Sequence, residues 1–421
     1  MSELTSDLTH TSQRATTLTN VQLLDGPKVN LRLSGGSILP VDTPDPLDRV
    51  IDAKGADLLP PIFDSHVQLS EPGFEHREDL GETVAIAASG GVCHLLGLPF
   101  TDPPLDRPSA LYATQERVSG HAGAGLSLVA SLFTAAGEMS ELSLLKDAGA
   151  IAVCEGELSR MELQKLIRAY TYAAELGLTI ITSAGLSDFG SPGITSGFQA
   201  AMMGLSGAPE QAEAMLIERD LRLAKMTGAK IHVPLVTTAE GVELIKSAKD
   251  QGLAVTAGTS INYATVSEVS IGDYRTFAKL CPPLRADQHR LAVVKGLKDG
   301  TLDCLNSNHK PVDQDSKRVP FELADSGAVG LEGLLSVAFT LEGQGLSRAK
   351  ILELLSPNPA QIFGLDLGAS NSFTLFDRTK PWILDAKTAR GRCRNVLFES
   401  MPLSGNAVLT VTNGRIVYND L

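Results

Sequence analysis

The period of the hydrophobic positions changes twice along the chain. From Leu18 to Asp52 the apolar residues come in short runs broken by Gly and Pro, as in NVQLLDG, NLRLSGGSILP and RVIDA. Such runs predict a few β-strands. The far end has the same character, with SFTLFDR, PWILDA and AVLTVTNGRIVYND. There Asn413 and Gly414 separate two alternating stretches, the signal for a hairpin with a type I′ turn. The two ends are therefore expected to meet in one small β-domain. Residues 1 to about 18 are polar and expected to fray.

Between the ends, short apolar runs alternate with longer helical patterns. Candidate strands are Leu58–Phe63, Val92–Leu98, Leu126–Leu132, Ala150–Val153, Thr179–Thr182, Lys230–Val236, Ala254–Ala257 and Asp303–Asn306. Amphipathic stretches such as MELQKLIRAYTYAAELG and TAEGVELIKSAKDQG lie between them, the second stopped by Gly252. Eight strands alternating with helices over about 300 residues predict an α/β fold built as a (β/α)8 TIM-like barrel. A doubly wound sheet is the alternative, but no G-x-G-x-x-G follows an early strand. A tail helix, SRAKILELLSPNPAQIFGL, closes this part. The expected organisation is a barrel over residues 58–355. Residues 1–57 and 356–421, the latter with the closing helix, build a small β-sandwich domain from both termini.

Composition narrows the class. Hydrophobic residues make up 43% of the 421, enough for a sizeable core. A net charge of −13 argues against nucleic acid or an anionic membrane as the main partner. The five cysteines (Cys93, Cys154, Cys281, Cys304, Cys393) are scattered without a C-x-x-C, which predicts buried free thiols. No apolar run is long enough to span a bilayer, and MSELTSDLTHTSQRATT has no apolar signal core. A soluble, cytoplasmic protein is the expectation.

In such a barrel chemistry sits at the C-terminal strand ends. LPPIFDSHVQLSEPG, Leu59–Gly73, reads as a buried strand feeding a polar turn, with Asp64, His66 and Gln68 at the strand's end. Alternation would place His66 and Gln68 on one face. Two histidines so spaced make half of a metal site, but glutamine is a poor transition-metal ligand.

Several segments resemble the dihydroorotases of the amidohydrolase superfamily. DAKGADLLPPIFDSHVQLSEPGFEHREDL is similar to the family segment with an H-x-H pair and L-R-E-P-G. AIAASGGVCHLLGLPFTDPPLD is similar to its Gly-Gly strand and M-P-N-T-x-P loop. GLSGAPEQAEAMLIERDLRLAKMTGAKIHV is similar to the segment before the sixth strand, and CPPLRADQHRLAVVKGLKDGTLDCLNSNHKP to the N-P-P-L-R and T-D-H-A-P segments. SPNPAQIFGL and FTLFDRTKPWIL are similar to the closing helix and the returning sandwich. The resemblance implies zinc-assisted opening or closing of a cyclic amide, with an aspartate after the eighth strand moving the proton.

Carried over position by position, that machinery is mostly missing. The first histidine is kept as His66 and the second is Gln68. The ligand after the fourth strand falls at about Glu155–Gly156. The histidines after the fifth and sixth strands fall at Ser183 and Leu235, and the aspartate at Asn308. The substrate-binding arginine falls at Ser70, the asparagine of the M-P-N-T loop at Phe100, and that before P-P-L-R at Cys281. Leu235 has no lone pair for a metal, and Ser183 is far poorer than imidazole. Asn308 cannot take a proton at neutral pH, and Ser70 cannot clamp a carboxylate.

Other groups have two readings. His66 either binds a metal with Asp64, Glu155 or His309, or is a hydrogen-bonded histidine at a strand end. His309, beside Asn308, is either a general base in another reaction or structural. His232 is expected on the wrong side for a site centred at Leu235 unless a bulge intervenes. His94 and Cys93 are expected in the core. Lys310–Phe321 is either a mobile loop over the barrel mouth or a solvated one.

A whole barrel with a dismantled site resembles the dihydroorotase-like subunit that some bacterial aspartate carbamoyltransferases carry for assembly. The resemblance implies a non-catalytic structural subunit in pyrimidine biosynthesis, without cofactor, in a homo- or hetero-oligomer with the aspartate carbamoyltransferase catalytic subunit. The alternative is a divergent amidohydrolase using His66, Asp64, Glu155 and His309 on another cyclic amide, with zinc as its cofactor. A sensor using the vestigial pocket is a third reading.

Overall fold

The computed structural model describes residues 15–156, 162–183 and 193–421. The β-domain begins with β1 (Thr16–Leu23), β2 (Lys28–Ser34), β3 (Ser37–Val41), β4 (Arg49–Asp52) and β5 (Asp57–Leu59). The start of the expected frayed segment lies outside the described residues, but Thr17 and Leu18 are fully buried in β1.

The barrel strands follow: β6 (Ile62–Gln68), β7 (Val92–Leu98), β8 (Gly125–Ser131), β9 (Ala152–Cys154), β10 (Thr179–Ile181), β11 (Ile231–Val233), β12 (Val255–Ser260) and β13 (Cys304–Asn306). They form one eight-stranded parallel sheet in chain order, the (β/α)8 architecture expected from the alternation. The strand expected at Leu58–Phe63 is two. β5 joins the terminal sheet, and β6 begins after the Pro60-Pro61 break.

The circle closes between β6 and the end of β13. Asp64 Oδ1 accepts from the Ser307 N–H at 3.1 Å, and the Gln68 N–H donates to the His309 carbonyl at 2.9 Å. Inside, Phe63, Leu96, Val129, Ala152, Cys154 and Ile181 pack with Phe363 and Leu367 of the tail. The tail is two helices, Arg348–Leu355 and Pro357–Ile362, because Pro357 breaks the run. Phe363 meets Phe63 edge-on at 6.2 Å and His232 at 5.4 Å. Phe63 is the second residue of β6, so this plug fills the N-terminal end and leaves the opposite end for a site.

The chain returns through β14 (Phe373–Ile383), β15 (Pro402–Thr412) and β16 (Arg415–Asn419). β14 pairs with β5, so both termini share one mainly antiparallel sheet of eight strands. Leu18, Val21, Leu31 and Leu33 pack there against Phe373, Leu375 and Val411. Asn413 and Gly414 both take positive φ, 51° and 70°, as a type I′ turn requires. At Gly414 a Cβ would stand 2.2 Å from the Gly36 carbonyl oxygen, so the two hairpin turns meet only because position 414 is glycine.

Candidate functional site

The C-terminal strand ends bring the sequence-predicted positions to one end of the barrel, but not into one cluster. His66 lies in β6 and is 9% exposed, with Nδ1 buried and without a hydrogen-bond partner. Burial, with the Lys310 ammonium second, pushes its pKa down to about 3, so the ring is neutral. Asp64 is fully buried, and burial raises its carboxyl to about 6 against the opposing hydrogen bonds from Ser307. Its Oδ1 is committed to barrel closure. The β6–β7 ladder shifts register between Asp64 and Val67. Simple alternation therefore does not carry through His66 to Gln68, and the expected shared face is interrupted by a bulge.

Glu155 follows β9 and is 3% exposed. Its carboxylate engages the outer ring of helices. The Tyr170 hydroxyl, on helix Leu163–Leu176, donates to Oε1. Arg219 Nη2, on helix Gln211–Thr227, donates to Oε2 at 2.7 Å. Arg219 Nε reaches the buried Asp220 at 2.6 Å. Burial, followed by the Glu155 charge, holds the Asp220 carboxyl well above the carboxylate range. Both Glu155 oxygens thus have strong partners outside the barrel.

His309 is 1% exposed and both ring nitrogens are used. The Gly330 N–H donates to Nδ1 at 3.2 Å, so the proton is assigned to Nε2, which donates to Glu78 Oε1 at 3.0 Å. Thr83 also donates to that Glu78 oxygen at 2.7 Å. His309 therefore ties the strand end to the segment before helix Leu80–Ser89.

Ser183 follows β10, next to residues outside the description. Leu235 is 3% exposed and part of the main apolar core. Asn308 takes a positive φ of 49°, and its side chain bonds with Tyr263, whose hydroxyl donates to the Pro282 carbonyl at 2.6 Å. Ser70 is buried, Phe100 packs on the apolar cluster inside the barrel, and Cys281 is half-buried.

His232 is buried inside the barrel, with Nδ1 2.9 Å from the Thr256 hydroxyl. β11 ends two residues before Leu235. His94 bonds Ser127 at 2.8 Å, and Cys93 is buried against Thr374. Lys310–Phe321 is part exposed, at Asp315 and Arg318–Pro320, and part buried. It contains helix Gln314–Lys317, and both Lys317 and Phe321 are 3% exposed.

Sequence reasoning did not find the partners of Glu155, which lie in helices whose apolar period hides them. Arg285 stands in the sequence only as the end of the P-P-L-R run. That side chain is buried, donates to the Thr237 hydroxyl at 2.9 Å and pairs with Glu213 at 3.3 Å. A buried Arg–Glu pair of this kind holds the loops around the sixth and seventh strands.

The zinc implied by the resemblance can be tested against these donors. Among the described residues, no three of His, Cys, Asp or Glu come together to hold a metal ion. His66 supplies one neutral nitrogen, while Glu155 and His309 are committed elsewhere. The residues present do not fit the group.

Known proteins place this architecture. An L-hydantoinase (dihydropyrimidinase) from Arthrobacter aurescens superposes with a TM-score of 0.82 at 22% identity, covering 96% of both chains. A D-hydantoinase from Bacillus sp. AR9 gives 0.81 at 20% identity, covering 96% of this chain and 95% of that one. The fold is thus that of the hydantoinase-type amidohydrolases. A family description, Dihydro-orotase-like, matches residues 55–241. A dihydroorotase of Desulforapulum autotrophicum is 33% identical over 386 residues, covering 89% of this chain and 90% of its own. One of Citrifermentans bemidjiense is 32% identical over 409 residues, covering 95% of each. The chain belongs to the dihydroorotase-like family of the amidohydrolase superfamily.

Proposed function

We propose that this chain is a catalytically inactive dihydroorotase-like protein that serves as an assembly subunit for aspartate carbamoyltransferase in pyrimidine biosynthesis. The observation that carries the inactive half is Glu155. This described acidic group after the fourth strand is held by Arg219 and Tyr170 in the helical ring. With Gln68, Leu235 and Asn308 at the other positions, the described residues bring together no ligand set, and the family's aspartate base is replaced by asparagine. The assembly half rests on the resemblance to subunits that keep the barrel and lose the ligands. A second reading, a divergent amidohydrolase, is favoured by the near full-length match to relatives named dihydroorotase and by the unpartnered His66 Nδ1.

The two readings separate on metal content and turnover. Protein purified without chelators is expected to hold no stoichiometric zinc and to turn over no dihydroorotate when zinc is added. Stoichiometric zinc with turnover establishes the enzyme instead.

A further inference from the structure

Away from the strand ends, a groove of about 710 Å³ runs along the helix Asp287–Asp299, which follows the seventh barrel strand. One wall is this helix, and the other is the segment Thr265–Ser270. Its lips are apolar and exposed: Val269 is 71% and Leu291 53% exposed. Its polar lining includes Ser267 and Ser270. Apolar side chains on the lips, with an open run between them, suit a polypeptide better than a small molecule, which pockets enclose.

The charge lining the groove opposes the net charge of the chain. The chain carries a net charge of −13, yet the lining holds Arg290, Lys295 and Lys298 against a single acid, Asp287. Arg290 is already braced, with Nε on Asp287 at 2.6 Å and Nη1 on the Gln344 side chain. Lys295 and Lys298 are exposed, one and two turns along from Leu291 on the same helix. A basic groove on an acidic molecule attracts acidic segments, while the surrounding surface repels them.

We propose that this groove is the docking surface for an acidic segment with apolar anchor side chains on the partner subunit. The proposal rests on the assembly reading above and names the surface that reading lacks. Lys295 and Lys298 meet the segment's carboxylates, and Val269 and Leu291 flank its anchors. From Asp287 to Lys298 the helix rises about 16 Å, room for about three turns of bound helix or about five extended residues.

The test is the affinity of the full chain for the cognate aspartate carbamoyltransferase catalytic subunit, measured by titration calorimetry at low and high salt. Wild type is expected to bind, more weakly as salt rises. Leu291→Asp and the double variant Lys295→Glu/Lys298→Glu are each expected to lose at least about tenfold in affinity. All three side chains are exposed, so unchanged thermal midpoints are expected and confirm folding. Met202→Asp, an exposed apolar site on helix Phe198–Met203, is expected to bind as wild type. Wild-type affinity in both groove variants overturns the groove and leaves the assembly reading standing, as does loss confined to Met202→Asp. Absence of any wild-type binding overturns both.

Discussion

Glu155, which the resemblance sets near a metal-ligand position, is turned toward the helical ring. Its two oxygens are satisfied by Tyr170 and Arg219, and Arg219 also meets Asp220. Removing the guanidinium would leave a buried carboxylate without its cation, beside a second acid. Arg219→Met is therefore expected to destabilise the fold by roughly 3 kcal/mol, measured by urea unfolding at neutral pH. A change below about 0.5 kcal/mol would show that Glu155 has another outlet, such as the mouth. That Glu155 follows the fourth strand was legible from the chain. Its direction was not, because the residue that captures it lies 64 positions away. His309 is similar: its place beside Asn308 was readable, but its commitment to Glu78 depends on a contact across 231 residues.

Among the elements, the segment after β13 departs furthest from its polar sequence. KPVDQDSKRVPF reads as solvent-facing, yet Lys317 is folded inward. Its ammonium donates to the carbonyls of Thr276 at 2.9 Å and Lys279 at 3.3 Å. Lys279 is itself 1% exposed and donates to the Glu322 carbonyl at 2.8 Å. Burial, then the charges of Lys279 and Lys310 against that of Asp325, pushes the Lys317 pKa down to about 7. In the unfolded chain lysine titrates near about 10.4. Between these values the unfolded state binds more protons, so stability rises with pH across the window and is lost as pH falls toward 7. Lys317→Met should flatten that rise, whose full size is on the order of 4 kcal/mol, in unfolding measured from pH 7 to 10. An unchanged slope would place the titration elsewhere. The sequence shows this lysine only as one charge in a polar run. By contrast, the hairpin at Asn413-Gly414 and the helix stop at Gly252 were legible, because local backbone chemistry decides them.

At the scale of the molecule, the alternation of strand and helix and the matching character of the two ends were enough to predict the architecture. Hydrophobic period fixes which faces are buried, and burial fixes the layers. What stayed hidden are features with no period. They are the bulge between Asp64 and Val67, the split of the first strand at Pro60-Pro61, and the polar contacts, distant in sequence, that hold Glu155 and His309. The barrel is closed, plugged at one end and joined to its β-domain, while Glu155 and His309 at its other end are held by structural partners. A molecule with that division of effort is best tested by what it assembles into. The most direct measurement is the light-scattering mass of this chain, run on size exclusion alone and with its cognate aspartate carbamoyltransferase catalytic subunit. A single co-eluting species heavier than either component is the predicted result. Two unshifted peaks, with transcarbamoylase activity unaffected by the chain, would contradict it.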